Sequence, residues 1–206
     1  LDVIKKNLFD TIYHEHLDYH SLKPLKIFLK KLNLKIHNVK KTKMHGGSIR
    51  IYVSKNESNY KINNNKITKL LSEEKKYGLY KIETYKNFYK NLEFQKEKLH
   101  NFFKKFYKYK IYGYGAPAKA VTLLKYFDLD HRYIELIIDD SSLKQDKFVP
   151  GTKIKIYSSK ILQSSPAEII IILAWNVYTD IIKNIKRSKK TKFILVPLPK
   201  LKIIKI

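Results

Sequence analysis

Ile111-Tyr112-Gly113-Tyr114-Gly115-Ala116-Pro117-Ala118-Lys119 decides how the second half of this chain is read. Lys110 to Tyr114 has the apolar, aromatic make-up of a strand, and Pro117 to Phe127 has the spacing of a helix. Gly113 to Ala118 is therefore a G-x-G-x-x-A turn between strand and helix. In such a turn the first glycine permits the tight bend and the second lets a ligand approach the backbone. The small third residue lets the helix pack on the sheet. Pro117 suits a first helical turn, where its missing N–H costs nothing. The free amides there attract an anion, and Lys119 adds a positive charge. Gly113, Gly115 and Lys119 are accordingly candidate nucleotide contacts, and Asp139 and Asp140 close the next strand about where a ribose-binding acid belongs. A tight βα turn with no ligand is the competing reading.

Downstream, the same alternation repeats. Strands are expected at Ile134 to Asp139, Ile154 to Ile156 and Glu168 to Ala174, with Lys192 to Val196 closing the sheet before Pro197 and Pro199. A helical turn at Ser159 to Leu162 and a helix at Tyr178 to Ile185 lie between them. Strands alternating with helices predict a parallel sheet covered on both faces.

Upstream, Leu1 to Asn7 reads as the end of a helix. Ser21 to Leu32 reads as a helix with Leu22, Leu25, Phe28, Leu29 and Leu32 on one face, Ser21 as its N-cap and Pro24 within the tolerated first turn. Leu34 to Lys40 alternates, with Leu34, Ile36 and Asn38 opposite Lys35, His37 and Val39. Ser48 to Ser54 alternates too, with Ile49, Ile51 and Val53 opposite Arg50 and Tyr52. Lys55 to Asn65 is polar and reads as a linker. Tyr80 to Tyr107 is a long amphipathic helix of roughly 40 Å, its aromatic stripe expected to be core packing.

The composition is that of a folded α/β chain, with 44 % hydrophobic residues and no cysteine, so no disulfide or thiolate metal site exists within it. No apolar run approaches the length of about 18 residues needed for a membrane helix. With no signal peptide at the start, a soluble, cytoplasmic protein with no membrane partner is expected. The formal charge of +25 suggests a polyanion partner, but Arg occurs only at positions 50, 132 and 187, and the lysines are spread along the chain. Nucleic acid is therefore not the expected partner.

Tyr13-His14-Glu15-His16, with Tyr19 and His20 behind, concentrates acid–base side chains. Its spacing does not suit a tetrahedral zinc site, so no metal ligand is assigned. An imidazole beside a carboxylate suits proton transfer, and a phenol can donate to a developing oxyanion. A surface turn with incidental histidines is the plainer reading. His45-Gly46-Gly47-Ser48, with Arg50, reads equally as a glycine turn between strands or as a substrate-contacting loop.

Phe9-Asp10-Thr11-Ile12-Tyr13-His14-Glu15-His16, then Ser21-Leu22, then His45-Gly46-Gly47-Ser48-Ile49-Arg50 form an ordered set. Tyr112 to Lys119, Pro150-Gly151-Thr152 and Leu173-Ala174-Trp175-Asn176 continue it. Together they resemble the S-adenosylmethionine-dependent sugar C-methyltransferases that modify nucleotide-linked keto-deoxysugars. The resemblance implies the tail of a class I methyltransferase domain (helix plus antiparallel strand pair) over 1–58. A linker and long connecting helix over 59–108 and a Rossmann-like parallel-sheet domain over 109–206 follow. It implies His16 as general base, supported by Tyr13 and Glu15. His14, His45, Gly46, Ser48 and Arg50, with Gly113, Gly115 and Lys119, would face the nucleotide-sugar. The S-adenosylmethionine loop and the family's structural zinc are expected upstream, outside this chain, which alone would then be inactive. A nucleotide-binding module without its own catalysis is the alternative.

Overall fold

Two sheets form around two sets of apolar residues in the computed structural model, which describes residues 1–185 and 190–206. The smaller is an antiparallel pair, β1 (Leu34–Thr42) and β2 (Ser48–Lys55). The register slips between Ile36 and Asn38, where His37 forms a bulge. One extra residue reverses the side-chain alternation beyond it. Ile36 and Val39 are consequently both buried on the same cluster, not on opposite faces as strict alternation predicts.

Helix α1 (Asp2–Lys5) precedes the pair, and α2 (Leu22–Lys31) and a third helix, α3 (Asn64–Tyr77), cover it. α3 was not legible as a helix. It starts where Asn63 accepts from the Lys66 amide, and it ends at Gly78 in the left-handed conformation. Leu22 and Leu29 of α2 and Ile67, Leu70 and Leu71 of α3 meet over the strands, whereas Phe28 and Leu32 stay exposed. Ser21 sits at the N-cap of α2 but caps nothing with its side chain. The buried carboxylate of Glu74, reaching from α3, accepts from the amides of Leu22 (2.7 Å) and Lys23 (3.2 Å), and also from the Tyr80 hydroxyl. Since Pro24 has no N–H, Glu74 satisfies the donors of that helical turn. Glu74→Ala strands three donors and should cost about 2–3 kcal/mol. Urea denaturation checks this, and a loss under about 0.5 kcal/mol, the range of ordinary surface changes, would reject it.

α4 (Ile82–Lys105) is one helix of 24 residues. Only its second half behaves as the stripe predicts. Leu92, Leu99 and Phe103 are buried in the larger core, while Ile82, Tyr85 and Tyr89 are exposed. No helix among the described residues is long and apolar enough to cross a membrane.

The larger sheet contains β3 (Ile111–Tyr114), β4 (Leu136–Ile138), β5 (Phe148–Val149), β6 (Ile154–Tyr157), β7 (Ile169–Ile172), β8 (Phe193–Val196) and β9 (Lys202–Lys205). Their order is β5-β6-β4-β3-β7-β8-β9. The five inner strands are parallel, and β5 and β9 pair antiparallel at the two edges. β8 is thus not the closing strand; Lys202–Lys205 returns alongside it. α5 (Lys119–Tyr126) follows β3 and begins two residues after Pro117, α6 (Ile161–Ser164) follows β6, and α7 (Tyr178–Ile185) follows β7. The parallel order is that of doubly wound α/β sheets, with the chain reversing direction across the sheet between β3 and β7. In such sheets ligands bind beyond the carboxyl ends of the strands at that point.

Candidate functional site

At that point the chain packs closely against itself. Gly113 lies within β3, where a Cβ would come 2.6 Å from Ile137 Cγ1 and 3.2 Å from Leu173 Cδ1. Gly115 has a φ of +87°, and its Cβ would sit 2.5 Å from the Cβ of Ala174 and 3.1 Å from its amide nitrogen. On its Cβ side, Gly115 thus permits a close approach by the chain leaving β7. Asp139 is likewise engaged. Its carboxylate accepts from the amides of Ala116 (2.7 Å) and Ser141 (3.0 Å) and pairs with Lys144 at 3.2 Å. Burial raises its pKa, but those donors outweigh burial and hold it below the usual carboxylate value. Asp139 staples the glycine turn, and Asp140 accepts from the Tyr114 hydroxyl.

The segment from Leu8 to Ile12 lies against α5. Leu8 and Phe9 belong to the larger core, with the Phe9 ring 4.7 Å from Tyr126 and 5.3 Å from Phe127. The Thr122 hydroxyl donates to the Ile12 carbonyl at 3.4 Å. Between them Asp10 is completely buried. Its Oδ2 accepts from Trp175 Nε1 at 2.5 Å and pairs with Lys119 Nζ at 3.4 Å. Lys119 also lies over the Trp175 ring, 3.9 Å from its centroid. Burial pushes the Asp10 carboxyl up and the Lys119 ammonium down from their ordinary values, and the attraction between them opposes both shifts. Lys119, expected as a phosphate contact, is thus paired with an internal carboxylate.

Thr11, next to Asp10, presents its carbonyl to two side chains. His16 Nδ1 is 2.9 Å from that oxygen, and the Tyr19 hydroxyl donates to the same atom. A carbonyl only accepts, so Nδ1 carries a proton, and in the neutral ring Nε2 is the nitrogen with the lone pair. Nε2 makes no hydrogen bond among the described residues. The Tyr13 ring stands 4.8 Å from the His16 ring, and its hydroxyl donates to Glu15 at 2.8 Å, a bond that raises the phenol pKa and keeps it protonated.

His45 completes the cluster from the β1–β2 turn, its ring 5.1 Å from His16 and nearly perpendicular. It reaches there through backbone that a side chain rarely adopts, with φ +51° at His45, +86° at Gly46 and +145° at Gly47. A Cβ on Gly46 would fall 2.5 Å from Leu8 Cδ1 and 3.3 Å from the Trp175 ring, and one on Gly47 would collide with Asp2. Lys6 Nζ bonds both the Gly46 carbonyl (2.6 Å) and Asp2 (2.8 Å), and Ser48 closes the turn by donating to the Met44 carbonyl. Among the described residues no group of three or more His, Cys, Asp or Glu is placed to hold a metal.

A family model described as the C-methyltransferase C-terminal domain matches residues 43–199. The chain belongs to this C-methyltransferase family. It is also 30 % identical to the C-methyltransferase NovU of Streptomyces niveus, an alignment covering 99 % of this chain and 49 % of NovU. The chain spans about half the length of that relative. Tyr13 to His16 precede the family match but fall within the alignment to NovU.

Within this C-methyltransferase chain, the fold brings His16, Tyr13, Glu15 and His45 into one cluster, with Gly46 packed beneath. His14 is exposed and touches only the edge of the Tyr13 ring at 5.5 Å. Arg50 lies exposed on β2 opposite Lys40 and contacts none of the cluster. Asp10, Thr11 and Trp175 were not singled out in the sequence as parts of the site. Their one visible signal is an acid buried in the apolar string Leu8-Phe9-Asp10 and a single tryptophan in the chain.

Proposed function

We propose that this chain carries the general base of an S-adenosylmethionine-dependent C-methyltransferase acting on a nucleotide-linked keto-deoxysugar. The observation that supports it most is the His16 imidazole held by the Thr11 carbonyl with Nε2 left as acceptor. In this reading Nε2 removes the proton from the sugar carbon beside the ketone, the electron pair of that C–H bond forms a carbon–carbon double bond, and the carbonyl π pair moves onto oxygen to give an enolate. Such a base contributes about 10²–10⁴-fold in rate. Tyr13 and Glu15 shape the rim of the base, His45 presents its ring beside it, and Ser48 holds the turn that carries His45. In the same reading the exposed side chains of His14 and Arg50 meet the nucleotide-sugar as it enters.

S-adenosylmethionine supplies the electrophilic methyl group. The described residues do not fit it: Gly115 is covered by Ala174, and Lys119 is spent on Asp10. The cofactor, and the family's structural zinc, would be held by parts of such an enzyme that these residues do not include, and without them this chain would not turn over substrate. The same two observations weigh against a nucleotide-binding module without catalysis. We place the reaction in the cytoplasm, where nucleotide-linked sugars are made, with neither nucleic acid nor membrane as a partner.

The test uses a nucleotide-linked keto-deoxysugar deuterated at the carbon beside the ketone, with the polypeptide that carries this chain and its cofactor half. Mass spectrometry of the product should show one deuterium lost for each methyl gained. Methylation with that deuterium retained, or of sugars that lack a ketone, would overturn the reading.

A further inference from the structure

We propose that Trp175 and Lys119 are positioning residues for His16, acting through Asp10 and the Thr11 carbonyl to fix which imidazole nitrogen carries the proton. The proposal rests on reading His16 as the base. Its physical case begins with the cost of Asp10. A carboxylate with no exposure and an Oδ1 that has no hydrogen-bond partner among the described residues is a poor way to fill a core. An apolar side chain of similar volume would be as good or better for stability. What the carboxylate provides instead is direction. The indole N–H is a rigid donor, and Trp175 is itself only 6 % exposed, so the 2.5 Å bond fixes Oδ2 in space. Lys119, 15 % exposed and stacked on the same ring, closes the set.

Fixing Asp10 fixes the tight helical turn Phe9–Thr11 in which it sits, a turn that the Thr11 hydroxyl also ties to the Leu8 carbonyl. The Thr11 carbonyl is the acceptor of His16 Nδ1 and of Tyr19, so its direction determines the tautomer. Trp175 also underlies the other half of the cluster, because its ring is one of the two groups against which Gly46 packs, next to His45. Trp175 in turn follows Ala174, which is locked against Gly115. One residue beyond β7 thereby supports the backbone behind both imidazoles. The glycine turn of this sheet thus anchors the proton-transfer motif.

The experiment reads the ring nitrogens of His16 by nitrogen-15 NMR in this chain, in wild type and in Trp175→Phe and Lys119→Met. Wild type should show His16 with Nδ1 protonated as the dominant neutral form. Both variants should move the Nδ1-H to Nε2-H ratio at least fivefold toward Nε2-H, with the His37 ring, remote on the β1 bulge, unchanged. If Trp175→Phe fails to fold, Lys119→Met, which keeps the indole bond, decides alone. An unchanged ratio in either folded variant overturns the proposal. Because this readout involves no turnover, it can fail while His16 remains the base. Conversely, a shifted ratio with full activity in the complete enzyme would instead count against His16 as the base.

Discussion

His16→Asn is expected to lower kcat by about 10²–10⁴-fold in the complete enzyme while leaving KM for the keto-sugar within about threefold. The asymmetry follows from where the ring is held. An asparagine amide can still donate to the Thr11 carbonyl, so the turn from Tyr13 to His16 keeps its anchor. His16 is only half-buried, and truncating it leaves no cavity in either core. What is lost is the lone pair on Nε2, which an amide cannot replace at neutral pH. A loss confined to kcat marks an interaction made in the transition state and not in substrate binding. Steady-state kinetics on the two proteins decides the matter. Equal kcat values would remove His16 from proton transfer, and a large rise in KM alone would make it a binding residue.

The parts of this molecule that the sequence disclosed are those governed by local rules. From Lys110 onward the apolar runs separated by helical segments give the parallel sheet nearly strand for strand, because a strand buried on both faces must be apolar at every position. β5 and β9 escaped because a two-residue strand has no period, and Lys202–Lys205 at an exposed edge looks like tail. α3 was hidden by its start, where Asn63, Asn64 and Asn65 imitate a linker while serving as cap and first turn. The bulge at His37 has no sequence signature, and it moved Val39 to the other face. The site divides in the same way. The clustering of Tyr13, Glu15 and His16 was visible because dense acid–base side chains are unusual, and the approach of His45 was implied only through resemblance. The bond from Trp175 to Asp10 joins residues 165 positions apart, and no pattern along the chain could pair them. At Gly113, Gly115, Lys119 and Asp139 the motif gave the right backbone, while the internal partners Ala174, Asp10 and the Ala116 amide lie too far along the chain for a local pattern to name.

Gly115→Ala is the substitution expected to damage the fold most for its size, because two independent penalties fall on one methyl group. The first is conformational. With φ at +87° the position lies where L residues are disfavoured, at about 1–2 kcal/mol. The second is steric. The new Cβ would stand 2.5 Å from one of Ala174's atoms and 3.1 Å from its backbone nitrogen, and backbone cannot step aside as a long side chain can. Overpacking of that kind costs about 1–3 kcal/mol, so the sum is about 2–5 kcal/mol. At about 2–4 °C per kcal/mol for a chain of this size, the midpoint of thermal unfolding should fall by roughly 4–20 °C. Gly151→Ala is the matched control, since φ there is +73° with nothing within 4 Å of the added carbon. It carries the conformational penalty alone and should lose only about 1–2 kcal/mol. Calorimetry on the two variants isolates the contact with Ala174, and equal losses would mean that Gly115 is needed only for its backbone angle. A larger loss at Gly115 would show the motif's second glycine serving the protein's own chain. Ala174 could then not settle against β3, and Trp175, Asp10 and the carbonyl behind His16 would lose the surface that sets their places.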